Sequence, residues 1–309
     1  MPVQGPIHVD RPLTNISIAY KSEGLISDEL FTVVPVVNET DVYFVFDKAH
    51  ALRNPQTLRA NGAEANEDQL VLSTATYRLE EHALKDIITQ RDRDNQDPGL
   101  NLEVSTVEDL TDKILRQKEV DAATLLFTNG NWANETSLGA AAPWNANTTA
   151  TNPILIGDSA ATAVLTNAGR KANVGVLDFR SFQACKEHVS VVDRVKYTSS
   201  DSVTPKLLQA LFGVEKLLVA EGANNTANEG LAATMALIWT DSAWFGYVNP
   251  SPGMRKPSAL YCMKKTAGGT QTKRWRDEAR NGEWFEVTNM YDQVTPSTDA
   301  GYLIVDTVQ

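Results

Sequence analysis

The chain has 309 residues, of which 42% are hydrophobic and 22% charged, and its formal net charge is −11. This length is sufficient for one large hydrophobic core or two smaller ones. The acidic balance argues against a protein that coats nucleic acid, because phosphate neutralisation needs clustered Lys and Arg. The sequence shows neither a signal peptide nor an apolar run long enough to cross a bilayer. We expect Cys185 and Cys262 to be free thiols rather than part of a disulfide framework.

The first part of the chain predicts an extended arm followed by a long β-hairpin. Residues 1–37 contain four prolines and show little periodicity, while the β-prone run at 33–37 favours order over a disordered tail. Two β-rich runs at 41–46 and 71–77 then flank a polar loop of about twenty residues. Because such a tip has no apolar face of its own, we expect it to find its partners on another molecule.

Charges are sorted along this loop by sign. Lys48, Arg53 and Arg59 stand on the outgoing half. Glu64, Glu67 and Asp68 stand on the returning half. In an isolated loop such charges would simply be solvated, whereas at a contact between subunits they would set orientation and register.

A long helix follows the hairpin. The sequence Ser-Thr-Val-Glu at 105–108 is typical of a capping box, and Asn-Gly at 129–130 is typical of a helix end, so the helix is predicted over about 105–127. At 1.5 Å per residue it would be about 35 Å long, which suits a spine across a domain. Its buried stripe is predicted to contain Val107, Leu110, Ile114 and Leu115.

The polar stretch 129–152 contains Trp132 and Trp144, which we expect to anchor it on the spine helix or on a neighbour. Beyond it the pattern predicts a mixture of helices and strands, and therefore an α+β fold. Asp158 is predicted to cap a helix over 158–168, and Thr204 with Pro205 to begin another that Gly213 ends. The other predicted elements are a helix at 182–188 and strands at 173–179, 190–197, 214–220, 235–240, 243–248, 259–264, 272–279, 284–290 and 302–308.

Catalytic and metal-binding patterns are weak. Gly157-Asp158-Ser159 is similar to the nucleophile string of one esterase family, but no His follows His188, so the base of a triad is missing where that family has it. Cys185 and His188 would share a helical face, although a Cys in an amphipathic helix is more often a core residue. A cytosolic hydrolase using Ser159 or Cys185 remains the alternative from another functional class. We predict no catalytic, cofactor-binding or metal-binding residues.

Several strings occur in an order that resembles a known family. Early in the chain these are Leu-Phe-Thr-Val-Val-Pro-Val at 30–36 and Tyr-Phe-Val-Phe-Asp at 43–47. Further strings lie at 158–165, 173–177, 195–198, 207–215, 238–239 and 247–250. Together they resemble the major capsid protein of tailed bacteriophages, whose fold is named after phage Hong Kong 97. The resemblance covers nearly the whole chain and depends on the number and order of the strings.

The resemblance implies an α+β fold of the Hong Kong 97 type, with an N-terminal arm, an extended hairpin loop, a spine helix, and peripheral and axial domains. In the family the hairpin loop lies over an adjacent subunit, so Arg53, Arg59, Glu64, Glu67 and Asp68 become candidate inter-subunit contacts. The expected divisions are an arm at 1–37, a hairpin loop at 38–90, a peripheral domain at 91–152, a mainly axial domain at 153–290, and a strand at 291–309 that returns to the peripheral domain.

The function implied is structural. Such a protein would assemble with itself into hexamers and pentamers of an icosahedral head that encloses double-stranded DNA, in the host cytoplasm and then in the virion. Portal, scaffolding and decoration proteins would be its other partners, with no membrane and no cofactor. In some members a loop Lys forms a covalent crosslink. Lys48 is the one Lys in the hairpin tip, but it stands near the base of the loop, and no local motif marks a partner for it. An encapsulin-type shell around an enzyme cargo is the alternative with the same fold.

Overall fold

The computed structural model describes the chain from residue 8 to residue 309. The residues left out within that range are 21, 23, 70, 72, 97–100, 140–141, 149–150, 197–202, 255 and 267.

Helices and strands are interspersed through the described residues. The α-helices are α1 (Arg11–Ala19), α2 (Ser27–Leu30), α3 (Lys48–Ala51), α4 (Gln90–Asp94), α5 (Leu102–Phe127), α6 (Pro153–Ala168), α7 (Phe179–Glu187), α8 (Val189–Val195) and α9 (Pro205–Phe212). The strands are β1 (His8–Val9), β2 (Thr32–Val36), β3 (Thr40–Val45), β4 (Ser73–Arg78), β5 (Glu80–Thr89), β6 (Asn134–Ser137), β7 (Val174–Asp178), β8 (Lys216–Ala220), β9 (Ala223–Asn225), β10 (Met235–Leu237), β11 (Ser242–Gly246), β12 (Tyr261–Lys265), β13 (Thr270–Asp277), β14 (Gly282–Val294) and β15 (Gly301–Val305).

The first sheet is built around the long strand β14. Strand β5 pairs antiparallel along one side of β14, while β13 and then β12 pair antiparallel along the other side. The short strand β1 adds to β13, and β2 adds parallel to β12. The arm is therefore ordered over 32–36, as its β-prone sequence predicts, and this strand pairs within its own subunit.

Helix α5, the spine helix, packs across one face of the first sheet. Its Leu110 and Ile114 are buried with Phe285 and Val287 of β14. Helix α1 closes this core from outside, because Leu13 is buried in it and the Ser17 hydroxyl lies 2.9 Å from that of Thr111 on α5.

The second sheet has the strand order β6-β15-β11-β7-β8, with α6, α7, α8 and α9 packed around it. Its central strand β11 is buried along its whole length. Trp132 packs beside Trp244 of β11, with ring centroids 5.2 Å apart, and its indole nitrogen donates to the Leu126 carbonyl on the spine helix. Trp144 is fully buried as well. Trp132 thus anchors the polar stretch on the spine, as expected, whereas neither ring is left on a surface for a neighbour.

Two predicted helix starts are wrong. The spine helix begins at Leu102, because the Asn101 side chain accepts from the Val104 amide, and Ser105 lies inside the first turns. Helix α6 begins at Pro153 with Asn152 as its cap, so Asp158 lies in mid-helix and is exposed. In both cases an Asn several residues upstream supplies the capping oxygen, and the acidic or hydroxyl residue chosen from the sequence is not needed there.

The strand predicted at 190–197 is instead helix α8 over its described residues. Val191 and Val195 are four apart and both buried, which is helical spacing, and His188 Nδ1 accepts from the Ser190 amide at the helix start. The β-branched composition of this segment favoured a strand, but the buried spacing and the cap favour a helix. The last predicted residue, Tyr197, lies outside the described residues.

The arm and the hairpin also differ from expectation. The arm is not extended throughout, because Asp10 accepts from the Leu13 amide and starts helix α1. The hairpin consists of β3 and β4 and ends at Arg78, whereas β5 leaves it to pair with β14. Ile88 of β5 is buried in the spine-helix core, and this apolar contact accounts for the pairing.

Candidate inter-subunit surface

The base of the hairpin is fixed to its own subunit. Strands β3 and β4 pair antiparallel from Thr40 opposite Arg78 to Val45 opposite Ser73. Below them, Tyr77 and Leu79 are buried against residues of β12 and β14 in the first sheet. The loop beyond β3 is held by an ion pair of 2.6 Å between Lys48 Nζ and Asp299 Oδ1. The direction in which the hairpin leaves the subunit is therefore set by packing at its base.

The tip of the hairpin has no such packing. Every residue of this tip, from 53 to 69, is exposed. Its described hydrogen bonds are local: Arg59 Nε donates to the Ala63 carbonyl at 2.5 Å, and Asn66 Nδ2 donates to the Gln56 carbonyl at 2.7 Å. Leu58 is a large apolar side chain that is 81% exposed. A segment of this kind holds a loop shape but contributes no core to its own subunit.

The five predicted contact charges all lie in this exposed tip. Within the described part of the chain, none of them forms an ion pair with another residue of the same subunit. The structure thus leaves their charges available, and their role as inter-subunit contacts stays a prediction. The five residues are Arg53, Arg59, Glu64, Glu67 and Asp68.

Lys48 lies at the base of the hairpin, shortly after β3, where the sequence places it. Its partner Asp299 belongs to the short turn before β15, so Lys48 acts as an anchor within the subunit.

An apolar groove of about 570 Å³ lies beside the hairpin base. Val37, Val42, Phe44 and Met254 line it, and all four are exposed. Sequence reasoning did not single out this surface. The alternation of Val42 and Phe44 on one face of β3 is the signal that would have indicated it.

Of the four residues predicted for the buried stripe of the spine helix, Val107 has no exposed surface. Leu110 and Ile114 are buried in the spine-helix core, whereas Leu115 is only half-buried and lines a small cavity beside Tyr20. Leu115 fits the i, i+3, i+7, i+8 spacing of the stripe, but it follows Ile114 by a rotation of about 100° around the helix and therefore lies at the edge of the buried face. Lys113 lies on the polar face, where its Nζ pairs with Asp109 Oδ2 at 2.7 Å.

Sequence reasoning missed two buried charges on the spine helix. Glu119 is fully buried, and its carboxylate accepts hydrogen bonds from the amides of Ile26 and Ser27 and from Trp239 Nε1. The neighbouring Lys118 is buried as well and pairs with Asp28. The spacing could have indicated the burial of Lys118, because position 118 is four residues after Ile114 and therefore lies on the same helical face.

The surroundings of Lys118 determine its charge state. Burial by itself lowers the pKa of Lys118, but the negative groups around it, Asp28 among them, leave that pKa above its ordinary value. Lys118 is therefore charged at neutral pH, and together with Glu119 it joins the spine helix to the arm.

The candidate nucleophiles are not arranged for catalysis. The Ser159 hydroxyl donates to the Leu155 carbonyl one helical turn earlier. Cys185 is fully buried, and burial raises the pKa of its thiol well above the ordinary value. The His188 ring is engaged by Thr151 Oγ1 at Nε2 and by the Ser190 amide at Nδ1, and burial lowers its pKa. A buried protonated thiol and an occupied imidazole do not make a nucleophile and base.

Metal ligands do not cluster either. The described residues contain no group of three or more His, Cys, Asp or Glu side chains placed to hold a metal ion. Within the same residues, no helix is long and apolar enough to cross a membrane. Cys185 and Cys262 are both buried free thiols, as expected.

Comparison with curated proteins identifies relatives over most of the chain. The major capsid protein of Pseudomonas phage JBD67 is 29% identical over 247 residues, which is 78% of each chain. The major capsid protein of Burkholderia phage BcepMu is 26% identical over 305 residues, covering 96% of this chain and 95% of that protein. The chain is a homologue of phage major capsid proteins. No family model matches the sequence.

Solved structures show the same fold. A phage-related protein from Bordetella bronchiseptica RB50 matches with a TM-score of 0.79 at 23% identity, over 98% of this chain and 99% of that one. The capsid of cyanophage P-SCSP1u matches with a TM-score of 0.60 at 12% identity, covering 93% and 89%. An encapsulin complex from Synechococcus elongatus PCC 7942 matches with a TM-score of 0.52 at 10% identity, covering 98% of each chain. The chain thus has the Hong Kong 97-type capsid fold.

Proposed function

We propose that this chain is the major capsid protein of a tailed-phage head. The observation that carries the proposal is the similarity to two phage major capsid proteins over most of their length and of this chain. The chain assembles with itself into hexamers and pentamers, and these close into an icosahedral shell around double-stranded DNA. Its place is the virion, after assembly in the host cytoplasm.

The hairpin supports a geometric mechanism. Its base is packed onto the first sheet, and its tip projects with unpaired charges and an exposed Leu58. A packed base, together with a tip whose charged side chains form no ion pair in the described part of the subunit and whose Leu58 is exposed, suits an element that contacts a neighbouring subunit. The charges that would set this contact are Arg53, Arg59, Glu64, Glu67 and Asp68.

The protein acts as a structural component rather than an enzyme. Buried Cys185 and the hydrogen-bonded Ser159 support this role, because neither presents a reactive group to a substrate. The net charge of −11 suits a wall that encloses DNA without adhering to it, since like charges repel across the inner surface. Portal, scaffolding and decoration proteins are the further partners expected of such a shell.

An encapsulin shell shares the fold and is the second candidate, supported by the similarity to the Synechococcus encapsulin complex. The curated relatives favour the phage head, since both are phage proteins. Purified native particles decide between the two. Packaged genomic DNA is the result expected, and particles that contain an enzyme and no DNA would support the encapsulin instead.

Assembly itself is tested with the chain expressed alone or with its scaffolding partner. Sedimentation and negative-stain electron microscopy should show closed particles of megadalton mass. A variant without residues 53–68 is the matched control, because the subunit core is untouched and only the tip is missing. A small, stable oligomer from the intact chain under all assembly conditions would contradict the proposal.

A further inference from the structure

Strand β5 is a long sheet edge with one side unpaired. Its ten residues pair with β14, and across the described part of the chain no second strand pairs with β5. The amide of Gln90, just after β5, donates to the Asn281 carbonyl, so even-numbered residues direct their backbone groups toward β14. In a strand the odd-numbered residues then direct theirs outward. Residues 81, 83, 85 and 87 thus present amides and carbonyls to the free edge.

One of these outward amides is capped from within the strand. Asp86 Oδ1 accepts from the Ile87 amide at 2.8 Å. This hydrogen bond satisfies an amide that would otherwise face solvent at the sheet edge. It still allows another strand to pair there, because a carbonyl of that strand can take the place of the Asp86 carboxylate. Beside it, Leu84 is 40% exposed although its cross-strand partner Val287 is buried. An edge of about 33 Å with an exposed Leu at its centre is a surface for strand addition.

We propose that β5 pairs antiparallel with β5 of a second copy of this chain, with Leu84 opposite Leu84 at the two-fold axis. In this register residues 81, 83, 85 and 87 of one copy face 87, 85, 83 and 81 of the other. Each facing pair exchanges two backbone hydrogen bonds, so the contact forms about eight. The first sheets of two subunits become one continuous sheet.

The exposed Leu84 and the charges around it together select the register. With Leu84 on the axis, His82 lies opposite Asp86 of the other copy, twice, and Lys85 lies diagonal both to Glu81 and to Lys85 of that copy. The Ile87 amide then donates to the other copy, which releases the Asp86 carboxylate for His82. Moving the axis to Ala83 places Lys85 opposite Glu81 but also Glu80 opposite Asp86, and it places Leu84 opposite His82. Moving the axis to Lys85 places Lys85 opposite itself and Leu84 opposite Asp86. Both shifts oppose like charges and lose the apolar pair of Leu84 with its own copy, and both changes destabilise cross-strand pairing.

This inference rests on the proposed function, since it names one of the contacts through which copies assemble. Cysteine crosslinking of assembled particles and of unassembled protein tests the register. In the Leu84→Cys chain the two Cα atoms would lie about 4.5 Å apart, within the roughly 4.4–6.8 Å range of disulfides. After mild oxidation we expect on the order of tenfold more covalent dimer on non-reducing gels than for Ala83→Cys or Lys85→Cys, whose own copies are further apart in this register.

The wild-type chain is the background control, because both native cysteines are buried. Dimer at Leu84→Cys alone supports the pairing. Dimer mainly at position 83 or 85, or at none of the three, overturns it. Electron micrographs of the same samples report on the proposed function separately: closed shells without the Leu84 crosslink refute this pairing alone, whereas a failure to form shells counts against the capsid role.

A backbone change provides an independent test. Ala83→Pro removes one outward amide, and proline is tolerated on an edge strand where the missing N–H faced solvent. Combined with Leu84→Cys it should abolish the crosslink and leave the unfolding midpoint of the subunit close to that of Leu84→Cys alone. Ala83→Val retains the amide and should retain the crosslink. A crosslink that persists in the folded proline variant overturns the pairing, and if that variant does not fold, the cysteine series alone decides.

Discussion

Trp239 Nε1 donates a hydrogen bond of 2.7 Å to Oε1 of Glu119, a carboxylate with no exposed surface. The same carboxylate accepts from the amides of Ile26 and Ser27 in the arm. Trp239 belongs to the segment that leads into β11 of the second sheet, while Glu119 belongs to the spine helix. One buried side chain thereby joins the arm, the spine helix and the second sheet.

Removal of this carboxylate should be costly. Glu119→Ala leaves three buried donors without an acceptor, and each unsatisfied buried group costs about 1–3 kcal/mol. We expect a large fall in the free energy of unfolding, measured by chemical denaturation of the unassembled subunit. Asp109→Ala is the matched control on the same helix, because Asp109 is exposed and makes only a weak i,i+4 pair with Lys113. Equal losses for the two variants would show that the Glu119 contacts carry little energy.

Alanine substitutions on the spine helix should lower the free energy of unfolding more where the replaced side chain is more deeply buried. Leu110 is buried in the spine-helix core, so Leu110→Ala should lower the free energy of unfolding by roughly 2–5 kcal/mol. Leu115→Ala should lower the free energy of unfolding by less, since that side chain is only half-buried. Lys113→Ala, on the polar face, should change the free energy of unfolding little. Urea denaturation of the three variants gives the comparison. A loss at Leu115 as large as that at Leu110 would contradict this ranking.

The hairpin tip should contribute to assembly and little to folding. We would delete residues 53–68 and keep Leu52, whose side chain packs against Gly169 at the end of α6. The remaining subunit should unfold cooperatively at nearly the wild-type midpoint, because every deleted residue is exposed. It should no longer form closed shells when examined by sedimentation and electron microscopy. Normal shells from the deletion variant would show that the tip is dispensable.

The two native thiols should react slowly in the folded state. Burial raises the pKa of Cys185 and also that of Cys262, so less thiolate is present at a given pH, and the thiolate is the reactive species. Labelling with a maleimide at neutral pH should be much slower for the native subunit than for the denatured chain. Raising the pH toward the ordinary thiol pKa should accelerate labelling of the denatured chain before labelling of the native subunit. Rapid labelling of both cysteines in the native subunit would contradict their burial.

Local signals in the sequence were sufficient for the main elements of the fold. The alternation of β-prone residues predicted the hairpin, and the apolar stripe through Leu110 and Ile114 predicted the spine helix. Helix starts were harder, because Asn101 and Ser105 are both good caps and the choice depends on the geometry of the preceding chain. The pairing of β5 with β14 joins residues about 200 apart, and nothing local to β5 specifies that partner.

The buried charges show why the rest of the site could not be predicted. Lys118 and Glu119 look like ordinary surface residues of a charged helix, and their burial depends on Asp28 and Trp239 folding over them. The reverse applies at the hairpin tip. Arg59 looks like a contact residue, and its described hydrogen bond goes to Ala63 in its own loop. The burial of Lys118 and Glu119 depends on partners distant in sequence, and the contact of Arg59 with another subunit stays a prediction.

The charges of the tip should influence assembly through their sign. If Arg59 meets an acidic group on a neighbour, Arg59→Glu opposes like charges at each equivalent contact, whereas Arg59→Ala only loses a surface pair worth roughly 0–1 kcal/mol. Both variants lose the hydrogen bond to the Ala63 carbonyl, so that loss does not contribute to the difference between them. Because exposed charges are screened beyond about 8–10 Å at physiological ionic strength, added salt should partly restore assembly of Arg59→Glu. Particle yield by sedimentation across a salt series measures this, and yields of Arg59→Glu equal to wild type at low salt would leave the loop charges as solvated surface.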